Sequence, residues 1–414
     1  MRMLVVNPPG VAQGNAFDIP TNILYLVAAL RRAGVDAGWV DGNICGWDGV
    51  QSAIDEAHPQ IVGISAMVPV RFAALRVAEC AKEYGARVAM GNHYGNWLWA
   101  DILTRYTHVD AVAFGEGEET IVELAQTDDW STVSGIATRT DGIPTRHVGR
   151  PCCDMASLPL PAWDEVDWPL YRSMGAFGPR VYCSRGCYGH CKFCEAPEFW
   201  NGYRTRPAQS VVDEVEWLRS MGNEHVILGD DTLSLKAARH LFDVLAKRLP
   251  EPMGSINVTT RADALDESLC ETMRACGVNE VCLGVETGSQ RMLDAMGKRT
   301  SVERNREAIA MLKRAGIRVK ALMLNHAIGE TSEDEAETRQ FLNECAPDDI
   351  GTVDALWLFP GSPWYDEIKA GVHDEKIVSG REWVTDEFWF RPEFEQSALS
   401  YRDGVIEPVR VTDR

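Results

Sequence analysis

The sequence predicts an α/β chain in two parts: a doubly wound parallel sheet, then a partial (βα)6 barrel with a short C-terminal tail. Three observations predict it. Over residues 1–125 short apolar runs alternate with longer helical patterns, which puts parallel strands in the centre and helices on both faces. From residue 180 the alternation resumes in units of roughly thirty residues, the length of a strand–helix repeat. Between them lies Leu158-Pro-Leu-Pro-Ala-Trp163, whose alternating prolines read as a stiff, extended connection. The expected parts are a first domain over 1–130, a linker over 131–177, a barrel over 178–360 and a capping segment over 361–414.

In the first domain the strand candidates are Met3–Asn7, Gly38–Asp41, Ile61–Ser65, Arg87–Met90 and Ala111–Phe114. Helix candidates fall at 22–33, 48–57, 70–84 and 97–105. Open parallel sheets bind ligands beyond the carboxyl ends of their strands. Those ends carry Asn7-Pro8-Pro9, Ser65, Gly91-Asn92-His93 and Gly115-Glu116-Gly117. Small residues there let backbone approach a bulky ligand. Alone, this pattern describes a Rossmann-like ligand-binding domain.

The barrel strands are expected at Arg180–Cys183, His225–Leu228, Ser255–Val258, Glu280–Leu283, Arg318–Met323 and Thr352–Phe359. Barrel sites gather at strand C-termini, and polar residues fall there in step. Asp230 and Asp231 follow the second strand, Arg261 the third, Glu286 the fourth and His326 the fifth. Each alone could be a strand-end cap or a surface ion pair. The tail is rich in Trp and Phe (Trp364, Trp383, Phe388, Trp389, Phe390), which suits either a cap lining a pocket or plain core packing.

The first barrel strand runs into Cys187-Tyr-Gly-His-Cys191-Lys-Phe-Cys194. Three thiolates at this spacing can hold three corners of a 4Fe–4S cube and leave one iron open. Cys183 lies outside that register and reads as a strand residue. A zinc knuckle would want a second CxxC pair, and the chain has none.

The cysteine run, with Ser184-Arg185-Gly186 before it and Phe193 before the last cysteine, resembles the radical S-adenosylmethionine (SAM) signature. The opening Asn-Pro-Pro and Phe114-Gly-Glu-Gly-Glu-Glu-Thr120 extend the likeness to the cobalamin-dependent radical SAM enzymes. The resemblance implies a 4Fe–4S cluster on Cys187, Cys191 and Cys194, with SAM on the open iron. Phe193 would lie near its adenine, Asp230 and Asp231 by its amino end, Arg261 near its carboxylate, and Glu286 near its ribose or amino group. It further implies cobalamin on Asn7, Pro8, Pro9, Ser65, Gly91, Asn92, His93, Gly115, Glu116 and Gly117. The Asp-x-His-x-x-Gly motif that supplies a histidine to cobalt is missing, and none of the nine histidines fits it. After the fifth barrel strand, Gly329-Glu330-Thr331 matches the family's turn, while its first glycine and proline are replaced. His326 therefore becomes a candidate proton donor or acceptor facing substrate.

The implied activity is a C-methyltransferase that carries methyl from methylcobalamin to an unactivated carbon. Its rivals are a non-methylating enzyme with the same cofactors, for ring closure or rearrangement, and a cobalamin- or SAM-binding regulator without turnover. RNA methylthiotransferases share the layout but carry three cysteines in the first domain; here residues 1–125 hold only Cys45 and Cys80. The net charge of −20 argues against nucleic acid or anionic membrane as partner. Twelve cysteines without a disulfide framework, and a strand in place of a signal peptide, point to a reducing cytoplasm. The expected partners are a small-molecule or natural-product substrate and an electron donor such as flavodoxin or ferredoxin.

Overall fold

The computed structural model describes residues 2–10, 17–229, 231–249, 251–353, 358–373, 386–390, 399–402 and 405–408. They form two compact units: the first holds those up to Phe177 together with those at Phe390–Ser400 and from Pro408, the second those of Gly178–Trp389 and Tyr401–Glu407.

In the first unit the strands are β1 (Arg2–Asn7), β2 (Asp36–Asp41), β3 (Ile61–Ser65), β4 (Arg87–Gly91) and β5 (Ala111–Ala113). They alternate with α1 (Thr21–Arg32), α2 (Gly42–Ala57), α3 (Arg71–Glu83), α4 (Asn92–Arg105) and α5 (Glu118–Gln126). The sheet order begins β2-β1-β3-β4-β5, all parallel. Chain direction across the sheet therefore reverses between β1 and β3, and a doubly wound sheet opens its ligand crevice at that point. Every residue of β3 is buried, as a central strand covered on both faces requires. Helix α1 turns Ile23, Leu24, Val27 and Leu30 into the core.

The stretch 131–177, expected as a linker, belongs to this unit. Strands β6 (Ile136–Thr140) and β7 (Ile143–Arg146) form a hairpin that extends the sheet antiparallel from β5. The turn residues Asp141 and Gly142 both have positive φ, 52° and 80°. That is the type I′ geometry an Asp-Gly pair favours, so the hairpin signal was present in the sequence. Helix α6 (Trp168–Ser173) adds a further tie, the Tyr171 hydroxyl donating to Asp41 Oδ2 at 2.8 Å.

In the second unit the strands are β8 (Arg180–Val181), the small antiparallel pair β9 (Ser184–Arg185) and β10 (Arg204–Thr205), β11 (His225–Leu228), β12 (Ser255–Arg261), β13 (Val278–Glu286), β14 (Arg318–Leu324) and β15 (Asp349–Val353). The main sheet runs β8-β11-β12-β13-β14-β15, parallel throughout, and continues into two short strands near the C-terminus. The helices are α7 (Ala196–Phe199), α8 (Ala208–Ser220), α9 (Leu235–Arg248), α10 (Glu267–Ala275), α11 (Gln290–Ala295), α12 (Val302–Arg314), α13 (Ser332–Cys345) and α14 (Pro363–Lys369). The sixth barrel strand was expected at Thr352–Phe359; the observed strand ends at Val353, and 354–357 lie outside the described residues. Among the described residues no helix is long and apolar enough to cross a membrane.

Candidate functional site

The cysteine loop leaves β9 at Gly186, and its backbone is forced. Gly186 has φ 78°, and a Cβ there would lie 1.9 Å from the Gly202 carbonyl oxygen. Its N–H donates to Asp231 Oδ2 at 3.2 Å, tying the loop to the end of β11. Asp230 lies outside the described residues. Each thiol of the loop has an N–H donor. Cys187 Sγ accepts from Gly189 N at 3.3 Å, Cys191 Sγ accepts from Arg261 Nη1 at 3.6 Å, and Cys194 is bonded by the Ala196 backbone. Such bonds hold the sulfurs in place and stabilise thiolate.

Burial raises the Cys187 thiol above its ordinary value, and Cys191 adds to the rise. Burial pushes Cys194 up to about 12, with Asp231, Cys191 and Cys187 adding to it. The Cys187 and Cys194 thiols thus resist ionisation, while each sulfur of the loop has an N–H donor. Such a donor set fits an iron–sulfur cluster, whose iron neutralises the thiolates. Cys183 stands apart: it is buried, and its Sγ donates to Val181 O at 3.6 Å.

Arg261 closes β12 with its side chain only 8% exposed. Nε bonds Asp263 Oδ1 at 2.9 Å, Nη2 bonds the Lys298 carbonyl at 2.7 Å, and Nη1 takes Cys191 Sγ. Three of its five N–H groups are used in this way. Glu286 closes β13 at a register shift, with φ 69°. Its Oε1 accepts from Lys298 Nζ, both groups being buried. Phe193 packs on Trp364 of α14, ring centroids 6.4 Å apart. The Trp364 backbone N–H donates to the Lys192 carbonyl at 2.8 Å, so α14 clamps the cysteine loop. The aromatic tail is core rather than an open pocket lining where described: Trp364 is 2% exposed, and Trp389 is fully buried against Phe359, Tyr365 and Phe388. Trp383 lies outside the described residues.

His326 follows β14 in a left-handed conformation, φ 56°, and is exposed. A ring nitrogen lies within 4.8 Å of carboxylate oxygens of Glu330 and Glu335. Burial raises the Glu330 carboxyl above its ordinary value. A histidine beside two carboxylates is one arrangement that can relay a proton.

In the first unit the edge at the switch point is lined by amides. Ser65 Oγ, at the end of β3, accepts from Asn22 Nδ2 and Asn92 Nδ2, each at 2.9 Å. Asn7 Nδ2 donates to Asp41 Oδ1 at 2.8 Å. Asn92 has φ 76°, which starts α4 sharply and puts half-buried His93 on its first turn. A Cβ on Gly115, at φ 72°, would meet nothing within 4 Å, while one on Gly42 would lie 2.4 Å from Pro9 N. The Pro8-Pro9 turn is therefore pinned, with Pro8 buried and Pro9 half-buried, and there is free space beside Gly115. Gly91 ends β4, and a Cβ on Gly117 would press Leu26 at 3.1 Å. Buried Glu116 is turned to the 151–155 stretch instead, its Oε2 accepting from Cys153 N at 2.6 Å. An edge of amides, a hydroxyl and glycine backbone fits a corrin, whose rim carries amides.

Sequence reading missed Asn22, Asp263, Lys298 and the clamping role of Trp364. Asn22 and Asp263 stand near expected site residues; Lys298 sits in a loop without periodic signal.

Residues 181–342 match the Radical SAM superfamily, and residues 15–125 match the B12 binding domain family. The anaerobic magnesium-protoporphyrin IX monomethyl ester cyclase of Rubrivivax gelatinosus is 30% identical over 369 residues, 84% of this chain and 66% of that protein. An uncharacterized methyltransferase of Pyrococcus horikoshii is 25% identical over 357 residues, 82% of this chain and 77% of that protein. The chain thus spans just under two thirds of the length of that cyclase. The radical SAM methyltransferase TsrM of Kitasatospora setae, solved with tryptophan and a SAM analogue, superposes with a TM-score of 0.76 at 20% identity, covering 90% of this chain and 77% of that one. TsrM has also been solved with cobalamin and a [4Fe–4S] cluster bound, at a TM-score of 0.75. A thiol triad at the barrel strand ends and a B12-type sheet in one chain agree with both family matches: the chain belongs to the cobalamin-dependent radical SAM enzymes, whose cofactors are a 4Fe–4S cluster, SAM and cobalamin.

Proposed function

We propose that the protein is a C-methyltransferase acting on a small-molecule carbon that carries no activating group. The observation that carries the reading is the pairing, in one chain, of an amide-lined edge at the sheet's switch point with a thiol triad at the barrel strand ends. Its relative in Pyrococcus horikoshii, named as a methyltransferase, supports the same reaction class. When bound, the cofactors supply a hydrogen-abstracting 5′-deoxyadenosyl group from SAM and a transferable methyl on cobalt.

In this reading Cys187, Cys191 and Cys194 hold the cluster. Asp230, Asp231 and Glu286 receive the ammonium and hydroxyls of SAM, Arg261 faces its carboxylate, and Phe193 its adenine. Opposite charges and forked N–H donors suit those groups. His326 holds or takes a proton at the substrate. Asn7, Ser65, Gly91, Asn92 and Gly115 bind the corrin by amide, hydroxyl and backbone groups, with no histidine on cobalt. An electron donor of the flavodoxin or ferredoxin kind reduces the cluster.

A second reading is net oxidation with ring closure, favoured by the 30% identity to the cyclase. The test is anaerobic turnover of candidate substrate pools with SAM carrying a deuterated methyl. Methyl transfer gives a product that gains the label on carbon. Ring closure gives an unlabelled product of altered hydrogen count, and would replace the methyltransferase reading.

A further inference from the structure

One buried cation belongs to none of the groups assigned above. Lys298 lies in the loop between α11 and α12, 4% exposed, with its Nζ on Glu286 Oε1. The same residue's carbonyl accepts from Arg261 Nη2 at 2.7 Å, and Arg261 Nη1 lies on Cys191 Sγ at 3.6 Å. Two residues earlier, the Met296 carbonyl accepts from Lys192 N at 2.8 Å, inside the cysteine run. The 296–298 segment is therefore bonded at once to the cysteine loop, to the end of β12 and to the end of β13.

Two glycines clear space for these cations. A Cβ on Gly284 would lie 2.9 Å from Glu286 Oε1 and 3.0 Å from Lys298 Nζ. A Cβ on Gly189, between Cys187 and Cys191, would lie 2.8 Å from Arg261 Nη1. A buried ion pair is a poor source of net stability, because desolvation offsets its attraction. It does fix geometry, and here it fixes a carboxylate at a strand end whose backbone is already in the left-handed region.

We propose that Lys298 is a positioning residue for SAM: its ammonium aims the Glu286 carboxylate while its carbonyl sets Arg261 against Cys191, so that the SAM-facing strand ends and the cluster loop keep one geometry. The proposal rests on the reading of Glu286 as a SAM contact.

The test is SAM binding to the reconstituted full-length protein, read by calorimetry and by the change SAM makes in the electron paramagnetic resonance of the reduced cluster. Lys298→Met is expected to keep iron and sulfide at wild-type content, to weaken SAM at least tenfold, and to lose the SAM-induced spectral change at concentrations that saturate the wild type. Because Lys298 acts through Glu286, Lys298→Met combined with Glu286→Gln should bind SAM about as weakly as Glu286→Gln alone. Wild-type SAM affinity in Lys298→Met overturns the proposal, as do losses that multiply in the double variant. If Lys298→Met does not assemble, Gly284→Ala presses on the same pair without removing a charge; it should also weaken SAM, and unchanged affinity there overturns the proposal. Wild-type affinity in Glu286→Gln would instead remove Glu286 from the SAM site, and the route through it. Failure of methyl transfer with these binding results intact would touch only the reaction assigned above.

Discussion

Cys191 and Arg261 show how one contact joins two predicted groups. The sequence placed Arg261 at a strand end; the fold turns its Nη1 onto Cys191 Sγ. Replacing Cys187, Cys191 and Cys194 together with Ala should abolish iron and sulfide binding after anaerobic reconstitution, with circular dichroism unchanged. Full cluster occupancy in that variant would sink the ligand assignment. Arg261→Gln should weaken SAM by about 2 kcal/mol, the scale of one charged hydrogen bond, measured by calorimetry. It should also shift the cluster's reduction potential, because a hydrogen bond to a ligating sulfur is lost. Unaltered SAM affinity would leave Arg261 a structural role only. Residues at strand ends were legible because period and position reveal them. Lys298 was not, because its partner Glu286 is twelve residues away across a helix and a turn, and nothing local couples them.

Helix α13 explains why Gly329-Glu330-Thr331 persists while the residues before it differ from the family turn. Thr331 caps the helix in a box with Asp334. Asp334 also accepts from Ser289 Oγ at 2.6 Å and pairs with Arg291, binding the loop after β13 to the helix after β14. The bond from Arg291, helped by Ser289 and Thr331, holds the Asp334 carboxyl well below the usual carboxylate range. A depressed carboxylate adds stability above its unfolded value, about 3.9, and loses it as pH falls through the folded value. Asp334→Asn should therefore lower the stability of the apo-protein at neutral pH by about 1–3 kcal/mol, read from urea unfolding, and the gap should close as pH falls below about 4. A gap that persists at lower pH would contradict the charge-based account. The Thr-x-x-Asp spacing was visible in the sequence as a capping signal, and so was the Asp141-Gly142 turn. The hairpin around that turn read as linker because the prolines downstream suggested extended chain throughout.

At the scale of the whole molecule, both α/β units were legible, because alternation of strand and helix period survives in a single sequence. The antiparallel extension of the first sheet and the clamp of α14 on the cysteine loop were not, since both depend on contacts between segments far apart in the chain. The switch-point edge of the first sheet offers amides, a hydroxyl and one half-buried imidazole, His93. The Co(II) form of the bound cobalamin should show no nitrogen superhyperfine splitting from His93. Splitting that vanishes in His93→Ala would make His93 the lower ligand. If one chain joins radical generation to methyl delivery, a single turnover of the reconstituted protein, loaded with methylcobalamin deuterated on its methyl and given unlabelled SAM, should put label on a product carbon, with one 5′-deoxyadenosine formed for each labelled product. Formation of 5′-deoxyadenosine with a product free of label would show that the two are not joined.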